Sequence, residues 1–398
     1  MITDTNQALP DHIPFAVKEV QAGEYERMPA EHWERRVKAL RAMNELNQEH
    51  IVQFVTAFRR RKEHGQEEHY LVFEWADGGN LRNMWRKESS PKLTVALIKD
   101  TMSQILGLAR ALEAAHNLDT TGTSYRHGDI KPENVLCFSN GRTVGTLKIG
   151  DWGEGKEHGL LTEMRPSEIA TAFGTRLYEA PEVETKDSAR YLGQARQQGS
   201  RMHDVWAMGC IMLEFVIWLL KGWEGLVQFH HDLGERSFYE ISVVNGKKLA
   251  QVHSAAIIWM TRMAEDTRCL VGSTAIGDLL EVVQTRLLVV KLPRRFKTQS
   301  SDILERYQTS PMLKIGSEVY GSATGDGLSS TGDAPHPPSE LPTFNITMAE
   351  PEPGTIPMQP EPESPGPPRC LATDFRARMD EIVEADEEDC PEGYWGTH

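Results

Sequence analysis

The side chains best suited to chemistry concentrate between residues 125 and 151. Residues 125–136 read YRHGDIKPENVL, which places an aspartate, a lysine two positions on and an asparagine five positions on in one short segment: Asp129, Lys131 and Asn134. A carboxylate can take up a proton, an ammonium can stabilise a developing negative charge, and amide and carboxylate oxygens are the donors that a hard cation prefers. Further on, LKIG has the composition of a strand and leads into Asp151-Trp152-Gly153, and GTRLYEAPE follows at 174–182.

These groups need elements to hold them. Residues 13–20 (IPFAVKEV) and 70–75 (YLVFEW) are rich in aromatic and branched side chains and read as strands. Between them Trp33, Val37, Leu40 and Met43 recur at helical spacing. From Leu93 onward helical patterns dominate, at 95–116, 204–220, 253–264 and 275–290. The stretch 205–220 is apolar on nearly every face, which predicts a helix buried in the larger part of the molecule. The expected architecture is α+β and bilobal, with a small strand-containing lobe at about 13–75 and a larger, mainly helical lobe at about 77–298.

Composition sets bounds on the rest. The chain has 398 residues, 39% of them hydrophobic, with 22 prolines and a net charge of −15. Residues 299–398 hold 19 acidic against 5 basic side chains and 14 of the prolines, so they carry −14 of that charge and leave the body at −1. A neutral body argues against nucleic-acid binding, which usually comes with a basic excess. No run of about 18 apolar residues occurs; the nearest, 211–220, is interrupted by Glu214, so no membrane insertion is expected. The first residues lack a basic region followed by an apolar run, so no secretory signal is read there. Five scattered cysteines suggest reduced thiols and an intracellular protein, cytoplasmic or nuclear. The 299–398 region reads as an acidic Pro/Ser/Gly-rich disordered tail. One island interrupts it: Leu371, Phe375, Met379, Ile382 and Val383 form a stripe compatible with a short helix at 371–385. That helix is either transient or docks against the body or an unidentified partner.

Taken together, HGDIKPEN, DWG and APE, in this order and spacing, resemble the catalytic loop, metal-binding motif and activation-segment end of the eukaryotic protein kinase superfamily. The resemblance covers about residues 13–298 and implies ATP and Mg²⁺ as cofactors. It implies that Asp129 accepts or orients the substrate hydroxyl proton, that Lys131 stabilises the transferring phosphoryl group, and that Asn134 and Asp151 ligate the metal. FAVK is similar to the strand-lysine motif and puts Lys18 against the nucleotide phosphates. YLVFEWADGGNL resembles the hinge between lobes, with Phe73 as gatekeeper, the backbone of Glu74 and Ala76 pairing with adenine, Asn80 at a ribose position and Leu136 on the floor under the base. Lys131-Pro132-Glu133-Asn134 and Thr175 are similar to the serine/threonine class, so protein substrates with Ser or Thr are implied. A pseudokinase acting as a binding scaffold is the alternative. Asp204 would brace the catalytic-loop backbone, and Glu182 would meet Arg268 in a buried ion pair.

The chain also departs from the family. Gly128 stands where an arginine normally pairs with an activation-loop phosphate, so activation should not depend on that clamp, whatever happens to Thr162, Ser167 or Thr171. No glycine-rich loop precedes Lys18, by truncation or by nature. Aligning WERRVKAL puts Arg36 where a glutamate usually partners the strand lysine; a like charge there would repel Lys18, unless a shifted helix lets Glu34 reach in. Trp152 replaces a phenylalanine and should stack on His127.

Overall fold

The fold begins with a strand whose two faces differ. In β1 (Phe15–Val20) the alternation of the pleat leaves Phe15 and Val17 exposed and turns Ala16, Lys18 and Val20 toward the protein. The computed structural model describes residues 14–20, 30–62, 67–117, 125–152, 177–185, 195–234, 236–292, 367–385, 391 and 393–396. Helix α1 (Ala30–Glu45) buries Trp33, Leu40 and Met43, as its apolar spacing requires. Strands β2 (Phe54–Arg61) and β3 (Glu67–Glu74) complete an antiparallel sheet in the order β1-β3-β2, with Lys18 opposite Leu71 and Phe54 opposite Phe73. The Asn44 side chain fastens α1 to β2, accepting from the Phe54 amide at 3.0 Å and donating to its carbonyl at 2.6 Å.

The larger lobe is helical, as expected. Helices α2 (Leu81–Lys87) and α3 (Val95–His116) start at side-chain caps, Asn80 accepting from Asn83 N and Thr94 from Leu97 N. A hairpin of β4 (Val135–Phe138) and β5 (Thr146–Ile149) follows. Helix α4 (Ala195–Leu233) is broken at Gly222, whose φ of 68° and ψ of −164° are not helical. Its stretch Arg201–Leu233 is long and apolar enough to cross a bilayer, but 94% of its most apolar window is buried inside the protein, so it serves as the core helix. A second hairpin, β6 (Tyr239–Val244) with β7 (Lys247–Val252), turns at Asn245-Gly246, both at positive φ. Helices α5 (Ser254–Ala264) and α6 (Ala275–Val282) follow, α6 running on into a wider turn at Val283–Leu287.

Two expectations need correction. The first is that 299–398 forms a single tail; the short helix expected at 371–385 is present, and of its alternatives the one realised is docking on the body. Residues 1–296 and 366–398 belong to one unit, and 297–365, which lie outside the described residues, make up the other. Helix α7 (Ala372–Val383) is integral to the body: Phe375, Met379 and Ile382 are buried, Arg376 pairs with Glu113 of α3 at 2.9 Å, and Arg110 of α3 pairs with Asp380 at 2.7 Å. After it, the Tyr394 carbonyl accepts from Ala275 N at 3.0 Å and its hydroxyl donates to Asp278 at 2.8 Å. The physical reason is area: Ala372, Phe375, Met379 and Ile382 give one face something to bury, although Leu371 of the expected stripe stays exposed, while the flanking proline and acidic residues do not.

The second correction concerns Glu182. Arg268 does not reach it; the guanidinium folds back onto Asp266 at 2.7 and 2.9 Å and stays 46% exposed. Glu182 instead receives Arg369, just before α7, in a two-pronged pair at 2.8 and 3.1 Å. Arg369 is fully buried, lies over the Trp206 ring and also donates to the carbonyls of Val289 and Met202. The geometry of the expected pair is right, but its arginine lies 101 positions further along the chain.

Candidate active site

The segment leading to Asp129 has no regular hydrogen bonding of its own, so its backbone needs acceptors. Asp204 of α4, fully buried, supplies them: one carboxylate oxygen accepts from His127 N at 2.9 Å and the other from Gly128 N at 2.8 Å. The expected brace is present. His116, at the end of α3, adds an Nε2 contact to the same carboxylate at 2.9 Å. Burial by itself would raise the pKa of Asp204, but the His116 hydrogen bond and the charges of His116 and Arg126 outweigh it and hold the group well below the usual carboxylate range.

On this brace the three expected side chains come together. Lys131 Nζ donates to Asp129 Oδ2 at 2.7 Å. Asn134 Nδ2 donates to the Asp129 carbonyl at 2.7 Å and to its Oδ2 at 3.2 Å. Pro132 opens the short turn Pro132–Asn134 that brings Asn134 back over Asp129, and the Asn134 carbonyl accepts from Gly150 N at 2.8 Å, tying this loop to the end of β5. His127 donates from Nε2 to the Gly150 carbonyl at 2.6 Å and accepts at Nδ1 from Asp129 N at 3.2 Å. Trp152 meets the His127 ring edge-on, centroids 4.9 Å apart, and donates from its indole to Ile149 O at 3.0 Å. The expected stacking is therefore an edge contact.

Asp151 sits at φ 63°, a left-handed conformation that costs most side chains about 1–3 kcal/mol and needs surroundings that enforce it. Two cations do so. Lys18 Nζ reaches both carboxylate oxygens, at 2.8 and 2.7 Å, and Arg36 of α1 approaches Oδ1 at 3.7 Å. Glu34 is exposed on the outer side of α1, so Arg36 holds the inward position. The expected repulsion between Lys18 and Arg36 is relieved by the carboxylate they share.

The residues expected at the hinge are held by contacts of their own. The Glu74 amide donates to the Gln53 carbonyl at 3.1 Å, and its carboxylate takes Lys148 of β5 at 2.9 Å. Ala76 O accepts from Gly79 N at 3.3 Å, and Asn80 forms an isolated bridge with Leu136 while its side-chain oxygen caps α2. Gly78 lies so close to β4 that a Cβ there would stand 2.8 Å from the Cys137 carbonyl. Cys137 itself is pushed up to about 12 by burial and is no nucleophile. Leu136 and Val52 both lie beside Gly150, within 3.5 Å of where its Cβ would be.

Sequence reasoning misses a buried network beside this loop. Arg82 of α2 contacts Glu133 at 3.1 Å, Glu214 at 3.4 Å and the Tyr178 hydroxyl, and Glu214 also receives Tyr178 at 2.9 Å and His230 at 2.6 Å. The available signal is Glu214 itself, a lone charge in an apolar run. Gly128, with φ 78°, stands where the family has an arginine. A Cβ there would lie 2.8 Å from Arg126 Nε, so the guanidinium of Arg126, two positions earlier, fills that space. Thr162, Ser167, Thr171, Thr175 and Gly153 lie outside the described residues, as do residues 1–13 and 21–29.

Asn134 and Asp151 are oxygen donors of the kind Mg²⁺ selects. Yet both Asp151 oxygens are already held by Lys18, and Arg36 adds a second positive charge to one of them. In this arrangement the carboxylate does not fit a dication.

Comparison with known proteins gives one family and many distant relatives. The family model for the protein kinase domain matches residues 7–266. Cyclin-dependent kinase-like 2 of Mus musculus is 26% identical over 231 residues, 55% of this chain and 35% of that protein. Mitogen-activated protein kinase kinase kinase 20 of Arabidopsis thaliana is 32% identical over 153 residues, 38% of each chain. Cyclin-dependent kinase-like 4 of Homo sapiens is 28% identical over 181 residues, 45% of this chain and 39% of that protein. The chain thus spans less than half the length of these relatives.

Proposed function

Because this chain belongs to the protein kinase family, we propose that it transfers the γ-phosphate of ATP to serine and threonine hydroxyls of protein substrates. The observation that carries this reading is the constellation of Asp129 with Lys131 at 2.7 Å and Asn134 at 3.2 Å. Phosphoryl transfer needs little covalent help and much positioning. A substrate hydroxyl beside Asp129 gives up its proton to that carboxylate while its oxygen bonds to the γ-phosphorus. The bond from phosphorus to the bridging oxygen breaks, and ADP leaves. Lys131 offsets the negative charge on the transferring group. Lys18 faces the phosphates, and Glu74, Ala76, Asn80 and Leu136 flank the base and ribose. Mg²⁺ serves this family generally; Lys18, Arg36 and Lys131 are the cations that the chain itself supplies. Ser/Thr preference rests on the likeness of the 131–134 loop to that class and on the kinases among the relatives. The four described cysteines, 137, 210, 269 and 370, are free and buried, which suits a reducing intracellular compartment.

A second reading, a pseudokinase scaffold, is favoured by one observation: α1 offers Lys18 no carboxylate, and Lys18 pairs with Asp151 instead. The test is transfer from γ-labelled ATP to the protein itself and to a generic Ser/Thr substrate, with Asp129→Asn alongside. The expected result is transfer that falls about 10²–10⁴-fold in the variant. Absence of transfer by the parent chain, with nucleotide still bound, supports the scaffold.

A further inference from the structure

Stretches of chain far apart in sequence meet at one guanidinium. Arg82, in the first turn of α2, donates from Nε to Glu133 at 3.1 Å, from Nη1 to Glu214 at 3.4 Å and from Nη2 to the Tyr178 hydroxyl. Glu133 is the middle residue of the turn Pro132–Asn134, and the fully buried Glu214 lies in α4 ahead of its break at Gly222. Tyr178 is buried too and donates to Glu214 at 2.9 Å. Burial alone would raise the pKa of Glu214, but the Arg82 charge, with the His230 and Tyr178 hydrogen bonds, outweighs it and holds the group below the usual carboxylate range. His230, beyond the break, has its Nε2 only 2.6 Å from that carboxylate, so this nitrogen carries a proton and donates. It therefore takes no hydrogen from Arg82, and the fork stays on Glu133, Glu214 and Tyr178.

We infer that Arg82 is a positioning residue for phosphoryl transfer: through Glu133 it fixes the turn that carries Asn134, and through Asn134 it holds Asp129. The inference rests on the reading of Asp129 as the group that takes the hydroxyl proton, and adds to it what keeps that group in place. The turn is short and has little else to hold it. The Asn134 amide donates to the Lys131 carbonyl at 2.9 Å, and the Asn134 carbonyl accepts from Gly150 N at 2.8 Å. The Asn134 side chain spends its donors on Asp129, at 2.7 and 3.2 Å. A shift of Glu133 is therefore passed to Asn134 and on to Asp129. Charge alone does not do this, because only a rigid fork of donors reaches a carboxylate on the turn, a carboxylate in α4 and a hydroxyl at once. Among the described residues Tyr178 makes no hydrogen bond to 131–134, so any effect of its hydroxyl on the turn must pass through Arg82 and Glu214.

The experiment is amide hydrogen exchange of the full chain, read by mass spectrometry over 130–136 and 147–152, with transfer kinetics alongside. The variants are Arg82→Gln, Arg82→Lys and Tyr178→Phe; Arg376→Gln, in the contact between α3 and α7, controls for general loosening. Arg82→Gln is expected to speed exchange in both windows by about tenfold or more. Arg82→Lys keeps the charge but loses the fork, and should stay within about threefold of Arg82→Gln. Tyr178→Phe should speed exchange in the same windows, and it carries the test if Arg82→Gln melts early. In a chain that transfers phosphate, Arg82→Gln should lower kcat about 10–100-fold while KM for ATP stays within about threefold. Full recovery in Arg82→Lys overturns the inference, because charge would then suffice. Unchanged exchange in Arg82→Gln and Tyr178→Phe, an equal rise over α3 and α5, or an unchanged kcat overturns it as well. If the parent does not transfer phosphate, the kinase reading fails by itself and exchange alone decides whether Arg82 sets the loop.

Discussion

His203 lies one residue before the brace Asp204, and burial, with Arg126 nearby, pushes its pKa down to about 4. An ordinary histidine titrates near about 6.5. Between those values the unfolded chain takes up a proton that the folded chain refuses. Stability is therefore complete above about pH 6.5 and drains away toward about pH 4, at up to about 1.4 kcal/mol per pH unit. Asp204 acts in a lower window: its depressed pKa contributes stability above the usual carboxylate value, lost as pH falls through the folded one. Denaturant unfolding at half-unit steps from about pH 7 to about pH 4 should show a slope that His203→Gln reduces by about one proton; an identical slope in the variant would sink this assignment. At this scale the sequence is most legible. Asp129, Lys131 and Asn134 lie within six residues, so their meeting is settled by one turn, and Pro132 sets that turn. Likeness of WERRVKAL to the family puts Arg36 on the side of Lys18 and leaves Glu34 as the alternative, which its exposure removes. What spacing cannot reveal is that Asp151 holds both cations, because its contact with Lys18 joins residues 133 positions apart.

Elements are legible where their periodicity is long. Helix α3 matches its expected bounds to the residue, because 22 positions of apolar spacing leave little freedom. Strand β2 escapes notice: FVTAFRRR ends in three arginines, and all but two of its residues are exposed. The β6–β7 hairpin escapes it too, although its Asn245-Gly246 turn is a strong signal, since Val243 and Val244 are exposed and the flanks do not alternate cleanly. The error over Arg268 has a similar origin. A short motif near the expected distance looks sufficient, while the true partner lies beyond a long stretch of unrelated composition. The pair makes a sharp prediction. Arg369→Ala strands Glu182 and should cost about 3–5 kcal/mol, whereas Arg268→Ala, which removes an exposed pair with Asp266, should cost less than about 1 kcal/mol. Chemical denaturation of the two variants should separate them; equal costs would return Arg268 to the core.

At the scale of the whole molecule, the body is assembled from two parts of the chain, residues 1–296 and 366–398. The composition-based boundary near 298 finds the start of the intervening stretch but not its end: the helix at 371–385 is legible from its apolar stripe, but the acidic residues around it hide that it docks on the body. Cutting the stretch should leave the parts together. With a protease site engineered between 297 and 365 and cleaved, the piece carrying α7 is expected to co-elute with the body in native size-exclusion chromatography and to separate from it in Arg369→Ala or Phe375→Ala; prompt release from the parent would overturn the picture. The discontinuity also has a consequence in time. A ribosome adding about 5–20 residues per second finishes the helix preceding Leu292 about 4–15 s before it reaches Arg369. Through that interval Glu182 has no arginine and the face of α3 that α7 covers is open to water. The nascent chain thus passes through a waiting period whose length is set by the number of codons between 292 and 367, and shortening that stretch would shorten the wait.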